Sequence, residues 1–361
     1  TAIVDRIKDV SWQKTFGGGS YDEANSIQQT NDGGYIVAGW TNSFGSGEKD
    51  VYTLKLNSKG EVEWQKTFGG GNNDEAKSIQ QTNDGGYIVA GWTKSFGFGG
   101  QDAYILKLNS KAEVEWQKTF GGKDDYVANS IQQTADGGYI VAGHTWSFDS
   151  GLDVYIVRLN SKGDLEWQKT FGGKGFDEAN SIQQTTDGGY IVAGWAESFG
   201  FGGQDAYILK LNAKGDLEWQ KTFGGESSDG ANSIQQTTDG GYIVAGYSFG
   251  GVYILKLNSK GDLEWQKTFD SGYVANSIQQ TADGGYIVAG YKGGGVYILK
   301  LNAKGDLEWQ KTFGGGNSDV AKSIQQTTDG GYIVAGCTWS FGSLSTDIYI
   351  LKLNSKGEVE E

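Results

Sequence analysis

The sequence has no proline and no methionine, and only one cysteine and one histidine in 361 residues. The lone Cys337 excludes an intramolecular disulfide, and it leaves the redox compartment open, because a chain of this size needs no covalent staple. Basic residues are also few: 30 Lys and Arg against 44 Asp and Glu give a formal charge of −14. So acidic a surface repels phosphate backbones and anionic headgroups, so neither nucleic acid nor a membrane surface is an expected partner. The longest apolar runs are five or six residues, far short of the roughly 20 that span a bilayer, so no membrane insertion is expected. The chain opens on Thr1 with neither an initiator Met nor an apolar leader, the expectation for a segment processed from a longer precursor.

Glycine is in excess, at 60 residues, and it recurs at fixed positions between apolar runs. That is turn punctuation rather than low complexity. The string WQKTF begins at Trp12, Trp64, Trp116, Trp167, Trp219, Trp265 and Trp309, at spacings of 52, 52, 51, 52, 46 and 44 residues. One copied unit of about 50 residues accounts for the missing residue types and sets the architecture.

Each unit reads as four strands. In the first, strand A is Ser26–Thr30, strand B Tyr35–Gly39, strand C Val51–Leu56 and strand D Glu61–Phe68. Asp32-Gly33-Gly34 and Asn57-Ser58-Lys59-Gly60 supply the hairpin turns. Strands B and C are almost continuously apolar, as expected of strands covered on both faces. Strand D alternates, with Val62, Trp64 and Phe68 expected on the inner face. No segment shows helical periodicity. The pattern predicts an all-β, seven-bladed β-propeller of four-stranded antiparallel blades, spanning 1–361 as one domain. The first WQKTF has no strands A to C ahead of it, and the last unit ends before any WQKTF. Residues 10–16 are therefore expected to complete the last blade beside Ile348–Leu353 and close the ring.

The stretch DVYTLKLNSKGEVEWQKTFGGGNNDEAKSIQQTNDGGYIVAGWTKSFG, Asp50 to Gly97, resembles the seven-bladed β-propeller (SBBP-like) repeat of bacterial and archaeal secreted and surface proteins. The resemblance covers nearly the whole chain. It implies display outside the cytoplasm, extracellular or on the cell surface, and binding without a defined ligand. In that family the loop after strand B often carries Pro; here it never does. Over KLNSKGDLEWQ the chain also resembles pyrroloquinoline-quinone-type repeats, whose disulfide and metal-ligand features it lacks, so no cofactor is expected.

The units differ from one another chiefly in two loops. The A–B and C–D turns are nearly invariant, whereas the D–A and B–C loops vary in length and content, from GGGSYDEAN to DSGYVAN. In an up-and-down sheet these two loops share one face, which makes that face the candidate binding surface. Blades five and six have short B–C loops, Ser248–Gly251 and Lys292–Gly295, expected to open a notch in the rim. Phe98, Trp146, Phe201 and Trp339 stand in the longer neighbouring loops. The position after VAG holds Trp40, Trp92, His144, Trp195, Tyr247, Tyr291 and Cys337. Its aromatics either present a stacking surface to a glycan or protein ligand or pack between blades. The seven WQKTF tryptophans, being identical, are expected to pack between blades.

The catalytic inventory is thin. His144 and Cys337 occupy equivalent positions in blades four units apart, so they form no Cys–His pair. No carboxylate pair is unique, as a glycosidase would require. The spacing of calcium loops is absent, so one carboxylate per D–A loop, from pairs such as Asp22–Glu23, Asp74–Glu75, Asp177–Glu178 and Asp124–Asp125, is expected to bind backbone N–H groups. The aspartates before strand C (Asp50, Asp102, Asp153, Asp205, Asp347) vanish where the B–C loop is short and are assigned to holding it. The expectation is a non-enzymatic module that binds a glycan or protein through its variable face. The alternatives are a structural part of a larger surface assembly and, less favoured, a carboxylate-dependent glycosidase.

Overall fold

A computed structural model describes residues 11–147, 151–269, 272–343 and 345–359. Within them, seven four-stranded antiparallel sheets follow one another in chain order. The first blade comprises Asp22–Gln29, Tyr35–Thr41, Asp50–Leu56 and Val62–Phe68 as strands A to D. The last consists of Val320–Gln326, Tyr332–Thr338, Asp347–Leu353 and, as its outer strand, Trp12–Phe16. Trp12 stands opposite Lys352 and Phe16 opposite Ile348. The ring is closed as the strand count requires, and Val10 lies outside the described residues.

Strand A begins four residues earlier than its SIQQT core, at Asp22. A bulge between Ala24 and Ser26 lets Asp22 pair with Thr41 and Glu23 with Trp40. The bulge recurs in every blade, for example between Ala128 and Ser130. A strand that breaks its own alternation is hard to read from periodicity. Val62 departs from expectation in a similar way. A register shift falls where strand D enters, between the Lys55–Trp64 and Leu56–Val62 pairs, and Val62 is 47% exposed rather than packed inside with Trp64 and Phe68.

Strands B and C are buried because each lies between two neighbouring blades. Tyr35 and Val37 pack with Ile333, Ala335, Ile348 and Ile350 of the preceding blade. Ile36 and Ala38, one residue out of phase, pack with Ala76, Ile79 and Val89 of the next. The WQKTF tryptophans clamp the same junctions. Trp12 meets Tyr35 edge to face at 5.9 Å, and Trp64 meets Tyr87 at 5.8 Å. Seven such pairs run round the disc.

Around the axis, Ser and both Gln of SIQQ each bind the adjacent blade. Ser26 Oγ accepts from Ile79 N–H at 3.3 Å. Gln28 Oε1 accepts from Gln81 N–H at 2.6 Å, and Gln81 Oε1 from Asn31 N–H at 2.8 Å. All seven junctions repeat these bonds, including the one that joins the ends, where Gln29 N–H donates to Gln325 Oε1. Their invariance is therefore structural. Each satisfies a backbone donor on an inner sheet edge.

Candidate functional site

The variable loops are held from beneath by buried carboxylates. Asp22 Oδ2 accepts from Gly18 N–H at 2.8 Å and Ser43 Oγ at 2.7 Å, and Oδ1 accepts from Thr41 Oγ1. Asp74, Asp177, Asp229 and Asp319 take the equivalent glycine N–H in their blades. Asp50 accepts from Ser46 and Gly47 N–H at 2.9 and 3.0 Å, and Asp102, Asp205 and Asp347 likewise tie B–C loops. Both aspartate sets are fasteners for backbone, as their positions suggested. Burial pushes Asp102 and Asp205 up, helped by the neighbouring Asp125 and Asp229. Among the described residues no group of three or more His, Cys, Asp or Glu is placed to hold a metal ion.

The residues after VAG lie where adjacent blades meet. Trp40 and Trp92 are each 8% exposed. Trp40 Nε1 donates to Glu23 at 3.2 Å and Lys49 Nζ caps its ring at 3.7 Å, so it offers little free face. Trp195 and Tyr247 are half-buried. Tyr247 donates its hydroxyl to Gln204 at 2.8 Å, and burial pushes it up to about 12. Tyr291 is exposed. His144 Nδ1 lies 3.4 Å from Glu178 Oε1, and Cys337 Sγ lies 3.5 Å from Glu23. Burial pushes the Cys337 thiol up. The two side chains serve separate blade junctions and form no dyad.

The loop aromatics are different. Phe98 and Phe201 are 80% and 83% exposed, and Trp146 and Trp339 are 37% and 44% exposed. Trp146 packs on Phe176 at 5.4 Å and Trp339 on Tyr21 at 5.5 Å. Each pair joins the B–C loop of one blade to the D–A loop of the next. Shallow pockets open beside both tryptophans. One of about 380 Å³ is lined by Lys123, Asp124, Asp125 and Trp146. The other, of about 600 Å³, is lined by Gly293, Gly294, Gly316, Asn317, Ser318 and Trp339. The second is the notch foreseen beside blade six, whose B–C connection is only Gly293-Gly294.

Sequence reasoning missed Phe249, at 86% the most exposed large hydrophobic side chain among the described residues, together with Tyr21 and Phe176. The available signal was local. In SFG loops the first Phe packs on a strand C tyrosine, as Phe44 does on Tyr52 and Phe96 on Tyr104. Phe249 stands in a two-residue turn with no such anchor. Among the described residues, all ten exposed aromatics lie in the D–A and B–C loops or at the end of strand B beside them. The exposed aliphatics Val62, Val114, Leu165, Leu217, Leu263 and Leu307 begin strand D at the opposite face.

Residues 134–166 match the family described as "Domain of unknown function (DUF5122) beta-propeller". The regulatory protein FlaEY of Caulobacter vibrioides is 24% identical over 174 residues, 41% of this chain and only 18% of that protein's length. Among solved structures, a catalytically inactive virginiamycin B lyase from Staphylococcus aureus with quinupristin superposes with a TM-score of 0.64 at 11% identity, over 95% of this chain and 99% of that one. The Pan2 WD40 domain of Neurospora crassa gives 0.58 at 10% identity, over 91% and 88%. Sqt1 of Chaetomium thermophilum, bound to the N-terminus of a ribosomal protein, gives 0.52 at 11%, over 89% and 84%. These likenesses place the chain among β-propeller repeat proteins. At such identities they speak to fold alone, a fold shared by a lyase and by WD40 modules.

Proposed function

We propose that the chain is a non-enzymatic binding module, displayed outside the cytoplasm, that takes a glycan or protein ligand on its D–A and B–C loop face. The observation that carries this is the segregation to that face of all ten aromatics exposed among the described residues, on loops fastened to a closed ring. Aromatic platforms beside polar pockets suit both sugar faces and protein anchors. Sqt1, a propeller-like neighbour bound to the N-terminus of a ribosomal protein, favours a protein ligand. The likeness to secreted repeats supports the location. Screening the chain on a glycan array and in a pull-down from surface extracts tests it. Trp146→Ala and Trp339→Ala should each weaken the ligand found by about tenfold or more, with circular dichroism unchanged. Equal binding by both variants removes this face from consideration.

A second reading, a structural part of a larger surface assembly, is favoured by the six aliphatics of the opposite face, each 43–47% exposed. Leu165→Lys with Leu217→Lys should then abolish self-association or assembly in sedimentation. If the parent chain is monomeric and unpartnered under the same conditions, that reading fails.

A further inference from the structure

The central channel, about 250 Å³, is lined by seven Ile and seven Gln, one pair from each strand A: Ile27 and Gln28 in the first blade, Ile131 and Gln132 in the third. Each of these Gln side chains is held in a single orientation. Gln28 Oε1 accepts from Gln81 N–H at 2.6 Å, Gln132 Oε1 from Gln184 N–H at 2.6 Å, and Gln325 Oε1 from Gln29 N–H at 2.6 Å. The other four repeat the bond at 2.6 or 2.7 Å. Flipping a carboxamide would set its NH₂ against a backbone N–H, donor against donor, so the orientation is imposed by the ring.

This arrangement leaves a surplus of one kind of hydrogen-bonding group. The Oε1 of every channel Gln already accepts one backbone N–H, which leaves one acceptor position, while both N–H groups of its Nε2 are without a protein partner among the described residues. The second Gln of each pair is spent likewise, Gln81 Oε1 accepting from Asn31 N–H. Seven NH₂ groups therefore converge on a small space bounded by buried isoleucines, where dipoles act more strongly than in water. The mouth on the loop face carries charge of both signs. Lys77 and Lys322 stand where five blades have Asn, and Glu23, Glu75 and Glu178 lie close by. Three carboxylates against two ammonium groups leave the mouth slightly acidic, so it is the Gln belt alone that favours an anion.

We infer that the channel is an anion site, in which a small inorganic anion is held on the axis by the carboxamide N–H groups, directly or through water that they orient. Bromide is the probe. Anomalous diffraction from crystals in sodium bromide should show a peak on the axis at the level of Gln28 and Gln132. Bromide NMR line broadening in solution should saturate, distinguishing a site from soaking at crystal concentration. Gln28→Glu keeps one oxygen on Gln81 N–H and turns a second, charged oxygen toward the axis, and it should weaken bromide at least tenfold. Gln132→Glu, two blades further round the ring, should do the same. Thermal melts confirm that each variant is folded. Water alone on the axis, peaks confined to surface lysines, or equal broadening by folded variants would each overturn the inference.

Discussion

At the scale of single residues, strand C carries one buried basic residue per blade, a lysine in six blades and Arg158 in the third. Lys55 is almost fully buried, yet its Nζ lies 2.9 Å from Asp32 and 2.8 Å from Glu63. Desolvation pulls Lys55 down, but the two carboxylates outweigh it and hold it up. Burial likewise pushes Asp32 up, but Thr30, Lys55 and Gly34 N–H prevail and hold it at about 2, and Asp84, Asp239 and Asp283 match it. A carboxylate lowered from its ordinary 3.8 contributes stability that is complete above pH 4 and lost as pH falls toward 2. The melting temperature should be flat from pH 7 to about 4 and drop between 4 and 2. Because the acids are half exposed, each contributes modestly. Lys55→Met strips two half-exposed carboxylates and the Leu56 carbonyl of their partner, so it should cost about 1–3 kcal/mol at pH 7 and remove one blade's share of the acid sensitivity, both readable in melts. The sequence displayed these residues as a repeat. It could not show that a lysine in KLN is buried, because one partner sits in the A–B turn and the other at the start of strand D.

At the scale of elements, the bulge in strand A explains a glycine that periodicity passed over. A Cβ on Gly39 would stand 1.9 Å from Glu23 O, and the six equivalent glycines give 1.7–1.9 Å. Gly33 is different: its φ is +80° and nothing lies within 4 Å of an added Cβ. Gly39→Ala should therefore cost about 3 kcal/mol or more, and Gly33→Ala about 1–2 kcal/mol from backbone conformation alone. Denaturant unfolding of the two variants checks the order. Strand number, turn chemistry and ring closure were all legible in the spacing of WQKTF and DGGY. The start of strand A was not, since a bulge reverses the inside-outside alternation on which that reading depends. The candidate surface was legible as a face, from where the repeats diverge. Which aromatics stand free of it was not: Trp40 and Phe98 are both loop-side aromatics in sequence, and only packing makes one buried and the other bare.

At the scale of the molecule, the Ser and Gln hydrogen bonds and the Trp–Tyr contact that join neighbouring blades all recur at the junction joining the last blade to the first. Trp12 belongs to that junction and is buried in its core. Trp12→Ala should cost about 3–5 kcal/mol. Removing residues 1–16 should leave a bare edge on Asp347–Leu353 and convert a monomer into aggregate on size exclusion. A deletion variant that stays monomeric and melts like the parent would contradict the closure. Tyr349 donates to Gln13 across 336 residues of chain, and this distance has a temporal meaning. At ribosomal rates the earliest strand waits on the order of tens of seconds before its neighbour is made. Until then the nascent protein is an open arc, and joining its tips is the last and most entropically demanding event of folding.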